Sequence, residues 1–334
     1  MGRVTIADVA KKANVSKSTV SQYLNKRYDY MGEETKKRIE LVIDELNYSP
    51  NILARGLKQK KTTTIGVIVA NILYSFSTQA IRAIEDFCNE FDYQVIMCNA
   101  DDNPDKEKHY IEMLLAKQVD GIILFPTEEN IPLYKKIIKN NYPLVFLDRI
   151  VPDIPIDAVL LDNKKASKVA VEEFIENGYK NIAIVTPPIR NSYFPRAERV
   201  DGYKEALKKS NILINDDHII NSELTETHKE LDKLFKLKTP PDAILASNDR
   251  ALYEVLKYIK INQLNIPSDI AVIGIDDVSY ASIYNPAITT IAQPAFEMGK
   301  KSAEILLDKI MKKDNNKKDI IHRFEPKLIK RDSY

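Results

Sequence analysis

The chain has 334 residues, 44% of them hydrophobic, with 49 Lys+Arg against 48 Asp+Glu and a formal net charge of +1. That length suits two or three domains, and the composition is ordinary for a soluble protein. No window approaches 18 uninterrupted apolar residues, so no membrane-spanning helix is expected, and the N-terminus does not read as a signal sequence. Cys88 and Cys98 read as buried thiols, and His109, His218, His228 and His322 lack metal-ligand spacing, so neither disulfide, metal nor cofactor is expected.

The first pattern is helical. Thr5 followed by Asp8 is a T-x-x-D helix start. Ile6, Val9, Ala10 and Ala13 recur on one helical face, and Asn14 tolerates the left-handed turn that ends it. Ser16 can cap a second helix with Val20 and Leu24 inward. Lys17, Ser18, Ser21 and Gln22 fall on its other face, as side chains able to bond base edges or phosphates. Two short helices across a tight turn read as a helix-turn-helix. A third helix is expected over Glu33–Asn47, with Ile39, Val42, Ile43 and Leu46 inward.

Pro50 opens a segment, Asn51 to Leu57, too short to be helical without outside support. A basic connector follows. Residues 1–61 hold 13 Lys+Arg against 7 Asp+Glu, a net of +6, which leaves −5 for the rest. The near-neutral total hides a basic head on an acidic body, the electrostatic footprint of DNA binding.

From Ile65 the pattern alternates short apolar strands with amphipathic helices. A first series runs to Leu147 and a second from Ala158 to Ile275. Fully apolar strands between helices indicate parallel sheets covered on both faces. Two such series predict two doubly wound subdomains, with ligands bound outside the carboxyl ends of the strands. Polar residues at those ends are Asn71, Asp101, Asp148-Arg149, Asn248-Asp249 and Asp276-Asp277, with Arg199 opening a later helix. No G-x-G-x-x-G, P-loop, G-x-S-x-G or H-E-x-x-H is present, which argues against an enzyme.

The chain resembles the lactose/galactose repressor (LacI/GalR) family of bacterial transcription regulators. The likeness rests on Thr5–Ala10, Val15–Ser21 with Asn25, Tyr48–Leu57, Val119–Leu124, Asp162-Asn163, Arg199–Tyr203, Ala246–Asp249, Val272–Asp277 and Pro286–Ile291, and so spans nearly the whole sequence. The run Val15–Tyr28 is also similar to the 2-keto-3-deoxygluconate regulator branch. One departure is Tyr30-Met-Gly32, where the family has Val-Ser before the third helix.

The resemblance implies an α/β fold: a helix-turn-helix head-piece over residues 1–61 with a hinge helix at 51–57, then a periplasmic-binding-protein-like body over 62–334. Within the body, subdomain 1 would take about 62–161 and 292–319, and subdomain 2 about 162–291 and 320–334, with three crossovers between them. Lys17, Ser18 and Gln22 would read bases, and Thr5, Ser16, Thr19, Ser21 and Asn25 would contact phosphates. Asn51, Ala54, Arg55 and Leu57 match the hinge, whose leucine wedges into the minor groove of operator DNA. Tyr74, Phe76, Ser77, Asp148, Arg199, Asn248 and Asp276 match effector-binding positions, and Arg149 and Arg196 would stand nearby. Arg149, Arg190, Arg196 and Arg199 converging on one cleft would favour a sugar acid. The resemblance implies a cytoplasmic homodimer, in which a small carbohydrate releases a repressor from double-stranded operator DNA. Ligand-promoted DNA binding and a transport solute-binding protein are the alternatives.

Overall fold

Three short helices build the N-terminal unit: α1 (Ile6–Lys12), α2 (Lys17–Leu24) and α3 (Glu33–Glu45). The computed structural model describes residues 4–29, 31–49, 62–127, 129–189, 194–311 and 320–334. It divides into two compact units, Met1–Thr62 and Thr63–Tyr334. At the start of α1 the Asp8 carboxylate accepts from the Thr5 N–H at 2.8 Å and from its hydroxyl at 2.7 Å. Asn14 takes φ 50°, the left-handed turn its type allows. Ser16 then caps α2, its hydroxyl accepting from the Thr19 N–H at 3.1 Å. The helices close over Val9, Ala10, Ala13, Val20, Ile39 and Val42. Gly32 precedes α3 without a side-chain cap, the consequence of the missing serine.

The second unit contains two six-stranded sheets. The first uses β1 (Thr64–Val69), β2 (Gln94–Asn99), β3 (Gly121–Leu124), β4 (Leu144–Leu147), β5 (Ala158–Leu161) and β11 (Ile321–Phe324) in the order β11-β5-β4-β3-β1-β2, all parallel. The second uses β6 (Ile182–Thr186), β7 (Ile219–Asn221), β8 (Ala243–Ala246), β9 (Ala271–Ile275), β10 (Thr289–Ala292) and β12 (Lys327–Ile329) in the order β12-β10-β9-β8-β6-β7. Without β11 and β12, the remaining five strands of each sheet repeat one topology. Among these pairings only β12 runs antiparallel, on β10.

The last strands correct the expected boundaries. Residues 320–334 do not all join the second sheet, and β11 and β12 do not pair with each other. β11 pairs with β5 in the first sheet, Glu325-Pro326 carries the chain across, and β12 edges the second. A proline cannot donate to a ladder, so a strand ends there.

Covering helices are exchanged between the sheets. α7 (Asn163–Glu176) follows β5 but packs on α8 (Phe194–Lys209), which follows β6 in the second sheet. α11 (Ala295–Met311) follows β10 but packs on α4 (Ser75–Glu90) over the first sheet. Each pairing turns on a glycine. A Cβ on Gly202 would lie 2.2 Å from the Lys164 carbonyl oxygen, and one on Gly299 2.5 Å from that of Ala80. No side chain fits at either crossing. Among the described residues no helix is long and apolar enough to cross a membrane. Cys88 and Cys98 are free and buried, and burial pushes the Cys88 thiol up to about 12.

Candidate effector cleft and nucleic-acid interface

The repeated topology places equivalent positions face to face. Asp148 follows β4 and Asp276 follows β9, and both are left-handed, at φ 73° and 83°. Each donates its backbone N–H to the adjoining strand, Asp148 to Val159 O and Asp276 to Ile291 O, both at 2.9 Å. Aspartate is among the residue types that tolerate this conformation, and here it turns the chain at the end of the strand.

One cavity lies at these strand ends. All nine residues expected around an effector line it: Tyr74, Phe76, Ser77, Asp148, Arg149, Arg196, Arg199, Asn248 and Asp276. Ala70, Phe125, Pro195 and Gln293 complete the lining. The first sheet and its helix α4 supply the aromatic wall, with Phe76 and Phe125 edge to face at 6.1 Å. α8 runs from Phe194-Pro195, where proline suits a first helical turn, so Arg199 lies within the helix and does not open it. Arg196 and Arg199 are therefore three residues apart on one helix and share a face. Arg190 lies outside the described residues.

The polar groups form a dense network. Arg149 donates to Asp102 Oδ1 at 3.0 Å and to Asp148 Oδ2 at 3.2 Å. Burial works against its charge, but the two carboxylates outweigh it and hold the guanidinium ionised. Arg196 donates to the Tyr74 hydroxyl at 3.0 Å and to Pro188 O at 3.1 Å. Arg199 donates to Asn163 Oδ1 at 2.8 Å and to Ser247 O at 2.6 Å. Asn248 caps α10 (Asp249–Ile261), its Oδ1 accepting from the Ala251 N–H at 2.8 Å. Gln293 donates to Asp276 Oδ1 at 2.5 Å, while its own buried Oε1 has no hydrogen-bond partner among the described residues. Burial pushes the Asp276 carboxyl up, against the pull of Arg199. Guanidinium, amide and carboxylate groups beside an aromatic wall can bond several hydroxyls while covering a ring's C–H face.

Other strand-end residues lie elsewhere. Asn71 turns its own loop, accepting from the Leu73 N–H at 2.9 Å. Asp101 is exposed and pairs with Lys106 and Asn99, while its neighbour Asp102 is the one that holds Arg149. Asp277 accepts from Thr290 at 2.6 Å and pairs with Arg331 at 2.8 Å. Sequence reasoning missed Gln293 and Asp102. Gln293 follows β10 directly, so the strand-end rule would have found it.

In the N-terminal unit, Thr5, Lys17, Ser18 and Gln22 are exposed, as is Ser16, while Thr19, Ser21 and Asn25 are half-buried. Asn25 closes α2, donating to Ser21 O at 2.7 Å. Asn51, Ala54, Arg55 and Leu57, the expected hinge contacts, lie outside the described residues.

A helical unit with an exposed polar helix and a body of two exchanged α/β subdomains around a polar cleft together define a class: helix-turn-helix regulators with a binding-protein-like body. Residues 5–51 match the family of bacterial regulatory proteins, lacI family, and residues 171–334 a periplasmic binding protein-like domain. The probable HTH-type transcriptional regulator EndR of Paenibacillus polymyxa is 50% identical over 98% of both chains. The HTH-type transcriptional regulator KdgR of Bacillus subtilis (strain 168) is 37% identical over 92% of both. The lac repressor dimer bound to operator and the anti-inducer ONPF aligns with a TM-score of 0.85 at 25% identity, covering 99% of both chains. The chain belongs to the lacI family. It is a transcription regulator and not an enzyme, as these relatives are.

Proposed function

We propose that the protein is a cytoplasmic homodimeric repressor that binds a pseudo-palindromic operator and is released from it by a small carbohydrate or sugar acid. The observation that carries the effector half is the convergence of all nine expected side chains on one cavity at the strand ends of both sheets. Lys17, Ser18 and Gln22 stand on the exposed face of α2, where a major-groove helix presents its reading residues. Thr5, Ser16, Thr19, Ser21 and Asn25 flank that face and serve the phosphates, and the segment with Asn51, Ala54, Arg55 and Leu57 serves the minor groove. Operator symmetry calls for two copies of the chain, and the operator-bound lac repressor is described as a dimer.

The charge pattern narrows the ligand. Arg149 is held between Asp102 and Asp148, whereas Arg196 and Arg199 line the cavity together on one face of α8, so an acid group would be met by those two. The kinship with KdgR supports the keto-deoxy sugar acids as the first to try. Fluorescence anisotropy on such an operator, with keto-deoxygluconate, gluconate and neutral hexoses at two salt concentrations, tests the reading. Release by one compound supports it. Tighter DNA binding with ligand would invert the switch, and preference for neutral hexoses would remove the acid.

A further inference from the structure

Three contacts cross between the two sheet systems beside the cavity. Arg196 reaches the Tyr74 hydroxyl, Arg196 also faces Asp102 at 3.9 Å, and Asp249 accepts from the Ser75 N–H at 2.6 Å. The last has unusual connections. Asp249 opens α10 in the second subdomain, whereas Ser75 opens α4 in the first. Through its own backbone N–H, Asp249 donates at 3.1 Å to Oδ2 of Asp276, a cavity-lining carboxylate. One residue thus orients a candidate ligand contact with its main chain and grips the opposite subdomain with its side chain.

We propose that Asp249 is a positioning residue that couples closure of the cleft to the orientation of Asp276, by way of the Ser75 N–H. The Ser75 amide belongs to the first turn of α4, where N–H groups lack helical partners and the helix end is electropositive, so a carboxylate there is favoured. The coupling carries an electrostatic opposition as well. Burial pushes the Asp249 carboxyl up to about 6, and the charge of Asp276 adds to it, against the N–H donors of Ser75 and Arg250. Around it stand Asp276 with Arg199 beyond, Arg250, Tyr280 and Tyr74. A carboxyl whose pKa is raised in the closed form favours that form below the ordinary carboxylate range. That support is lost as pH rises through about 6. Because neighbouring acids titrate as a unit, the midpoint belongs to the Asp249–Asp276 pair.

Ser75→Pro removes the Ser75 N–H, and Ser75→Ala, which loses only the hydroxyl that accepts from Gln79 at 2.9 Å, is its control. Ser75 is the first helical position, where proline's missing N–H and fixed φ are tolerated, and Tyr74 before it is already extended at φ −79°, ψ 132°. The full chain would carry spin labels at Lys135→Cys and Lys233→Cys, one on each subdomain, with the buried native cysteines unlabelled. Electron–electron distance measurements then read the closed population without ligand. The inference rests on the effector reading only for the role of Asp276, so failure of either is seen separately.

Ser75→Pro is expected to lower the closed population roughly fivefold at every pH, the size of one lost hydrogen bond. In the parent the closed population should fall as pH rises from about 4 through about 6 and level off above that, and Asp249→Ala should lose that response or move it to lower pH. Distances in Ser75→Pro equal to the parent's, or an unchanged pH midpoint in Asp249→Ala, would overturn the proposal. If Ser75→Pro fails to fold, the pH midpoint of Asp249→Ala decides.

Discussion

Glu107 is fully buried within the first subdomain, yet each of its oxygens is occupied. Its carboxylate accepts from the Thr127 N–H at 2.8 Å, the Asn130 amide at 2.8 Å and the Tyr134 hydroxyl. Burial pushes its pKa up, and those donors pull it back. Removing it leaves the buried Tyr134 hydroxyl without its acceptor and weakens the hold on two more donors, since the Thr127 N–H keeps only the Tyr134 hydroxyl at 3.3 Å and the Asn130 amide only Pro104 O at 2.9 Å. Glu107→Ala is expected to lower unfolding free energy by about 3 kcal/mol in a urea titration, and Glu107→Gln by less. The cluster also fixes the chain just past Phe125, a cavity wall, so effector affinity should fall with it. Such a network was invisible in the sequence, because a glutamate on an amphipathic helix reads as solvated until the fold closes over it. The strand-end aspartates Asp148 and Asp276 were legible for the opposite reason: the strand-end rule points to the crevice, and the family resemblance separates them from Asn71, Asp101 and Asp277, which the same rule names but which turn away.

At the scale of elements, periodicity predicts the helices, whereas their exchange is implied only by the resemblance, which gives 162–291 to the second subdomain and 292–319 to the first. Periodicity marks α7 and α11 as amphipathic, but says nothing of which sheet each covers. Gly202 and Gly299 carry the answer, since each lies against the backbone of the partner helix. Gly202→Ala should gain about 1 kcal/mol of helix propensity and lose more than that in forced separation of α7 and α8, for a net loss of about 1–3 kcal/mol. Thermal unfolding would register it as a lower midpoint, and an unchanged midpoint would show the crossing to be slack. The displaced α8 carries Arg196 and Arg199, so this distant glycine should also weaken ligand binding. The helix-turn-helix was legible almost residue by residue, because caps such as Thr5-Asp8 and Ser16 are local chemistry needing no tertiary partner. The fates of β11 and β12 were not, because which strand each joins depends on partners distant in sequence, Ala158–Leu161 for β11 and Thr290–Ala292 for β12, and leaves no local trace.

For the molecule as a whole, the basic N-terminal sixty-one residues and the net −5 body divide the labour. Deleting residues 1–61 is expected to abolish operator binding while leaving carbohydrate binding in place, which paired anisotropy and calorimetric titrations would show. In the intact protein, log affinity for DNA should fall linearly with log salt, with a slope of about 0.9 per phosphate neutralised. Replacing Lys17 by alanine should lower affinity and reduce that slope if the lysine meets a phosphate, but narrow sequence preference if it reads a base. The exchange of helices has a further consequence in time. The first sheet has all its strands but β11 once Leu161 has been made, but its cover α11, with Met298, Leu306 and Ile310 buried, begins only at Ala295. At bacterial translation rates that interval is on the order of ten seconds. Throughout it a broad apolar face stands open on the ribosome, and a chaperone, or the second copy of an adjacent nascent chain, is what it would meet first.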